Sequence, residues 1–209
     1  MDKKARIAVL VSGGGTNLQA ILDASARGEI PDGEIAMVIS DRSGAYALER
    51  AEKAGIPALE INKKACGGQE AFEKKLIAAL TENRIDLIVL AGFLSILTEN
   101  FTTLYPRRII NVHPSLIPSF CGAGFYGLKV HQAALNRGVK VTGATVHFVN
   151  EIPDGGEIIA QKAVDIEPGF IFSIFFSSLS FKSPSIFSKF NTSNFFFFPP
   201  VDLLLLTLV

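Results

Sequence analysis

The chain has 209 residues, enough to bury a sizeable core and few enough to form one domain with at most an appendage. Twenty Lys and Arg balance twenty Asp and Glu, so the basic excess behind unspecific nucleic-acid binding is missing, and a partner has to be recognised at a site. Two cysteines, Cys66 and Cys121, cannot build a disulfide framework, and Met1 to Lys4 lead into a strand-like run with no apolar signal region, which together predict a reduced, cytoplasmic protein.

Arg6 to Val11 is a short apolar, β-branched run ending in Ser12-Gly13-Gly14-Gly15-Thr16-Asn17, after which Leu18, Ile21, Leu22 and Ala26 keep helical spacing. That pattern is strand, glycine loop, helix. Ile35 to Ser40 reads as the next strand, Tyr46 to Ala54 as a helix closed by Gly55, and Pro57 to Ile61 as a third strand. Phe72, Leu76, Ile77 and Leu80 fall on one face of a helix over Glu70 to Glu82, and Asp86 to Ala91 is a near-continuous apolar strand. Strands alternating with helical segments predict an α/β fold with a mainly parallel, Rossmann-like sheet, whose ligands sit outside the carboxyl ends of the strands. The second half differs. Arg108 to Asn111 is a strand running into His113-Pro114-Ser115, followed by a glycine-studded loop, Cys121 to Gly127, and a helix around Val130 to Asn136. Gly143 to Val149 and Glu157 to Val164 read as strands joined through the turn residues Pro153-Asp154-Gly155-Gly156.

Beyond Gly169 the composition breaks. Residues 170–209 hold eleven of the seventeen Phe but only three charged residues, Lys182, Lys189 and Asp202, and they show neither a helical nor a strand period. No uncharged apolar stretch reaches the ~18 residues of a membrane span. The division expected is a domain over 1–169 and an irregular Phe- and Ser-rich tail over 170–209, foreign to the fold, as a shifted reading frame would make it.

The loop Gly13 to Asn17, between a strand and a helix amino terminus, offers backbone N–H donors and the positive end of the helix dipole to an anion. Leu18 stands where a dinucleotide fingerprint needs glycine, although Asp41 follows the second strand, so a single phosphate monoester fits better, with Thr16 and Asn17 adding side-chain donors. Strand alternation points Asn111 and His113 to one side. An amide donor and an imidazole in one space can stabilise an oxyanion and move a proton near neutral pH, and a carboxylate beside the ring would orient its protonated form. Asp154 is the candidate carboxylate. His113, His131 and His147 lack the short spacing of a metal site, and Cys121 has nothing beyond its nearness in sequence to His113 to mark it as a nucleophile.

Taken together, Ser12 to Asn17, Ala91-Gly92-Phe93-Leu94, Asn111 to Pro118, and Gly143 to Val149 with Asp154-Gly155-Gly156 closely resemble the phosphoribosylglycinamide formyltransferases, over about residues 5–169. The resemblance implies transfer of a formyl group from 10-formyltetrahydrofolate to the amine of glycinamide ribonucleotide in purine synthesis, without a metal. It implies that Gly14, Gly15, Thr16 and Asn17, with Asn111, hold the ribonucleotide, that Gln69 and the segment Leu94, Ser95, Ile96 and Leu97 face the folate, and that Asn111, His113 and Asp154 are catalytic. The partners implied are small molecules, with no nucleic acid or membrane, for a monomer or homodimer. Two departures stand out: Ser95 and Gln69 occupy positions where family members often carry a folate-contacting arginine. The acidic start of a long helix that the family places after Gly169 is also absent, which predicts poor solubility and low activity. A formyltetrahydrofolate hydrolase would carry a further domain ahead of Met1, a methionyl-tRNA formyltransferase one behind, and a noncatalytic nucleotide-binding module or a defective remnant would leave the trio idle.

Overall fold

The computed structural model describes residues 4–166. The first apolar run forms β1 (Ala5–Val11), and the glycine loop leads into α1 (Thr16–Ala26). Next come β2 (Gly33–Ser40), α2 (Tyr46–Lys53), β3 (Ala58–Glu60), the single-turn α3 (Lys63–Cys66), α4 (Gln69–Glu82) and β4 (Leu87–Leu90). A second short helix, α5 (Glu99–Thr102), precedes β5 (Ile109–His113), and α6 (Leu128–Arg137), β6 (Val141–Phe148) and β7 (Ile158–Asp165) complete the described chain. The tail expected over 170–209 lies outside the described residues.

The sheet order is β3-β2-β1-β4-β5-β6-β7, parallel from β3 to β5 and antiparallel over the β5-β6 and β6-β7 pairs. The α/β reading with a mainly parallel sheet therefore holds. The chain builds β2 and β3 on one side of β1 and β4 on the other, so the switch point lies between β1 and β4, where a crevice opens beyond the carboxyl ends.

Strand alternation supplies both faces of the core. Ala8 and Leu10 of β1 point with Met37, Ile39, Ile88 and Ile109 toward α4, whose Phe72, Leu76 and Leu80 cover them. Ile7, Val9 and Val11 point the other way, with Val38 and Val89, under Leu18, Ile21 and Leu22 of α1 and Ala47 and Ala51 of α2. A charged group, Glu73, is buried on α4 and satisfied: it accepts from Thr98 N at 2.7 Å, Thr98 Oγ1 at 2.6 Å and Gln69 Nε2 at 2.6 Å. These bonds fix the loop after β4 against α4, and that loop is one wall of the site.

Candidate active site

At the end of β1, the Ser12 hydroxyl accepts from Leu94 N at 2.7 Å, tying the glycine loop to the loop after β4 across the switch point. Gly15 is the residue before α1 and has φ +72°, a left-handed conformation that favours glycine. Space demands glycine as well, since a Cβ there would stand 2.6 Å from the Ala47 Cβ. No side chain caps α1, which leaves its amino-terminal amides to an incoming anion.

A cleft of about 430 Å³ lies beside this loop, with the segment Leu94, Ser95, Ile96 and Leu97 along one wall, Gly122 to Gly127 and Asn150 to Asp154 along the other, and Asn111, His113 and His147 also lining it. Leu94 and Ile96 expose apolar side chains and Leu97 reaches back into the core. Gln69 does not line the cleft: its amide is engaged by Glu73 and by the Ile96 carbonyl at 2.9 Å. The Ser95 hydroxyl donates to the buried Asp41 at 2.6 Å. Gly14, Gly15, Thr16 and Asn17 stand outside the cleft wall, in the loop next to it.

The structure brings Asn111, His113 and Asp154 together. Asn111 and His113 are alternate residues of β5, and the antiparallel register sets Asn111 opposite His147 and His113 opposite Thr145. Asp154 Oδ2 lies 3.4 Å from His113 Nδ1 and accepts from Gly122 N at 2.8 Å, while Oδ1 lies 3.5 Å from Asn111 Nδ2 and 3.6 Å from His147 Nε2. His113 is buried, and its Nε2 is 2.9 Å from the Phe120 carbonyl. Acceptors thus flank both ring nitrogens, and only the doubly protonated imidazole can donate to both.

The sequence reading weighed His147 only as a metal ligand, and the structure sets it on the cleft wall beside Asn111 and Asp154. Its Nδ1 lies 2.7 Å from the Phe148 carbonyl and so carries a proton there; its Nε2, 3.1 Å from the Asn111 amide nitrogen and 3.6 Å from Asp154 Oδ1, accepts from the amide in the neutral ring and donates to the carboxylate in the charged one. The signal in the sequence was parity, because His147 alternates with Thr145 on a strand beside Asn111, but nothing local gives the cross-strand register.

The turn that presents Asp154 explains its glycines. Asp154 has φ +57°, a conformation Asp tolerates better than most residues, and a Cβ on Gly156 would lie 1.8 Å from the Phe148 carbonyl oxygen. On the opposite side, the Thr145 hydroxyl donates to Ser115 O at 2.7 Å and accepts from Ile117 N at 3.0 Å, and the Ser115 hydroxyl donates to Ser119 O at 2.6 Å. This lattice holds the segment after His113 so that Phe120 reaches the ring.

Burial pushes the Asp154 carboxyl up, but the His147 contact, the Gly122 N–H and the charges of His113 and His147 outweigh it, leaving the group below the usual carboxylate range. Asp154 is therefore a fixed negative charge at neutral pH. Cys121 goes the other way: burial and the Asp154 charge push its thiol up, and its Sγ donates to Pro118 O at 3.2 Å, the reverse of an activated nucleophile. Among the described residues no group of three His, Cys, Asp or Glu side chains is arranged to hold a metal ion, and no helix is long and apolar enough to cross a membrane.

Residues 5–171 match the family model for the formyl transferase domain. Over 163 residues the chain is 44% identical to a phosphoribosylglycinamide formyltransferase of Haemophilus influenzae, covering 78% of this chain and 74% of that one. It is also 44% identical over 167 residues to the human trifunctional purine biosynthetic protein adenosine-3, but spans only 16% of that protein's length. Among solved structures, glycinamide ribonucleotide transformylase 1 from Symbiobacterium toebii superposes with a TM-score of 0.74 at 44% identity, covering 83% of this chain and 80% of that one.

Proposed function

The chain belongs to the formyl transferase family, and from that premise we propose that it moves a formyl group from 10-formyltetrahydrofolate to the amine of glycinamide ribonucleotide, a step of purine synthesis. The observation that carries the reading is the convergence of Asn111, His113 and Asp154 on one cleft, with the Asp154 carboxylate 3.4 Å from the imidazole.

In this reading the ribonucleotide phosphate rests on the amides and side chains of Gly14, Gly15, Thr16 and Asn17, and the folate lies along Leu94 to Leu97. The substrate amine attacks the formyl carbon, forming a C–N bond and a tetrahedral oxyanion. The Asn111 amide and the His113 Nε2–H donate to that oxygen, the Nε2–H exchanging its hydrogen bond to the Phe120 carbonyl for one to the formyl oxygen as the folate binds. Collapse breaks the bond to the folate nitrogen, and His113 relays the amine's surplus proton to that leaving nitrogen, so the ring ends as it began. Asp154 keeps the imidazolium in place. With Gln69 engaged by Glu73 and Ser95 by Asp41, Arg42 is, among the described residues, the Lys or Arg on the cleft wall that remains to meet the folate's carboxylates.

Two free cysteines accord with a cytoplasmic, reducing location for this chemistry. Asn111→Ala tests the reading: loss of one oxyanion donor lowers kcat on the order of a hundredfold or more at an intact fold. A variant within twofold of the native rate would remove Asn111 from the reaction and with it the proposed oxyanion site.

A further inference from the structure

We propose that Arg50 on α2 is a positioning residue for phosphate recognition, holding the glycine loop with its amides turned outward and setting a positive charge behind them. The proposal rests on the reading that Gly14 to Asn17 hold the ribonucleotide phosphate, and it names a residue outside that contact set.

One guanidinium makes two divergent bonds: Nε donates to Gly14 O and Nη1 to Gln19 Oε1, each at 2.8 Å. It therefore ties the loop before α1 to the first turn of α1. The Tyr46 ring lies under the guanidinium, 4.9 Å from its centroid, and limits where it can go. Three residues earlier on α2, Ala47 N donates to Gly13 O at 3.1 Å.

These tethers decide where the loop amides point. In a trans peptide the C=O and the following N–H are opposed. Both the Gly13 and Gly14 carbonyls are drawn toward α2, so the N–H groups of Gly14 and Gly15 face away from it. Arg50 forms no ion pair among the described residues, so its charge is not cancelled locally and acts on whatever anion the loop receives. Lysine could keep the charge but has no planar fork to bond two acceptors in different directions.

The test measures glycinamide ribonucleotide binding by calorimetry and both KM values on the full chain, for the native protein, Arg50→Met and Arg50→Lys, with inorganic phosphate as competitor. Arg50→Met is expected to raise Kd and KM for the ribonucleotide about tenfold, and to weaken competition by inorganic phosphate equally. The expected kcat and KM for the formyl donor stay within about twofold, and Arg50→Lys falls between. Native-like ribonucleotide binding by Arg50→Met would overturn the proposal alone. A fall in melting temperature with both KM values rising together would reduce Arg50 to a structural role and overturn it as well. A native chain that binds neither the ribonucleotide nor inorganic phosphate would overturn the phosphate reading itself.

Discussion

Replacing Asp154 by Asn removes one charge and almost no volume, which isolates the electrostatic part of the proposed mechanism. The amide oxygen of the variant can still accept from Gly122 N, 2.8 Å away in the native chain, so the turn is expected to keep its shape. What goes is the negative charge 3.4 Å from His113 Nδ1. At that separation the attraction to an imidazolium is ~1 kcal/mol in bulk water and ~5 kcal/mol at an effective dielectric constant of about 20. The Asp154 side chain is only 13% exposed, which sets the value toward the upper bound, about 3 to 4 kcal/mol. The variant loses that much support for the imidazolium the transition state requires, which lowers kcat by up to roughly two to three decades. Turnover of 10-formyltetrahydrofolate at saturating ribonucleotide, compared between native and Asp154→Asn proteins of equal thermal stability, measures it. Rates within twofold of each other from pH 6 to 9 would refute the reasoning. The same variant tests the depressed Asp154 pKa. A carboxyl lowered on folding adds stability above its unfolded value, about 4, and loses it as pH falls through the lower folded value. The part of the stability gap between native and variant that comes from this carboxylate should thus close as pH falls below about 4, and a gap unchanged at pH 3 would contradict the assignment.

Other outcomes follow from single sites. Asn17→Ala should raise KM for the ribonucleotide roughly tenfold or more, the loss of a hydrogen bond to a charged group, and leave folate binding intact; equal losses for both ligands would indicate unfolding. Gly156→Ala sets a methyl against the Phe148 carbonyl and should cost about 1 to 3 kcal/mol in chemical denaturation while displacing Asp154, whereas Gly13→Ala, with nothing within 4 Å of the new methyl, should stay within about 0.5 kcal/mol. Gly13→Ala matching Gly156→Ala would sink that distinction. Replacing the residues after Gly169 by an amphipathic helix should raise both soluble yield and turnover, because Phe195 to Phe198 and Leu203 to Leu206 form apolar runs without helical period; equal yield and activity would contradict the reading of the tail.

Local periodicity made much of this fold legible. The β-branched run before the glycines is β1, and the spacing of Phe72, Leu76 and Leu80 marked the buried face of α4. Lys63–Cys66 and Glu99–Thr102 were not readable as helices, because four residues are barely one helical period and leave no repeat to detect. Of the site, Asn111 and His113 could be paired by parity on one strand, and Asp154 could be nominated by its turn. The contacts that assemble them are non-local: His147 reaches Asn111 through the register of β5 on β6, and Arg50 reaches Gly14 from another helix. The Gln69 amide is engaged by the buried Glu73, and no local pattern marks Glu73 as buried.

The central claim is that the cleft delivers the formyl group to an amine and not to water. The direct measurement follows 10-formyltetrahydrofolate consumption with and without glycinamide ribonucleotide, and quantifies the formylated ribonucleotide, for the chain as it stands and for the version with a helix after Gly169. Consumption that requires the ribonucleotide, with one formylated product per folate released, is the predicted result. Consumption at the same rate without the amine, or no ribonucleotide-dependent transfer by either protein, would contradict it.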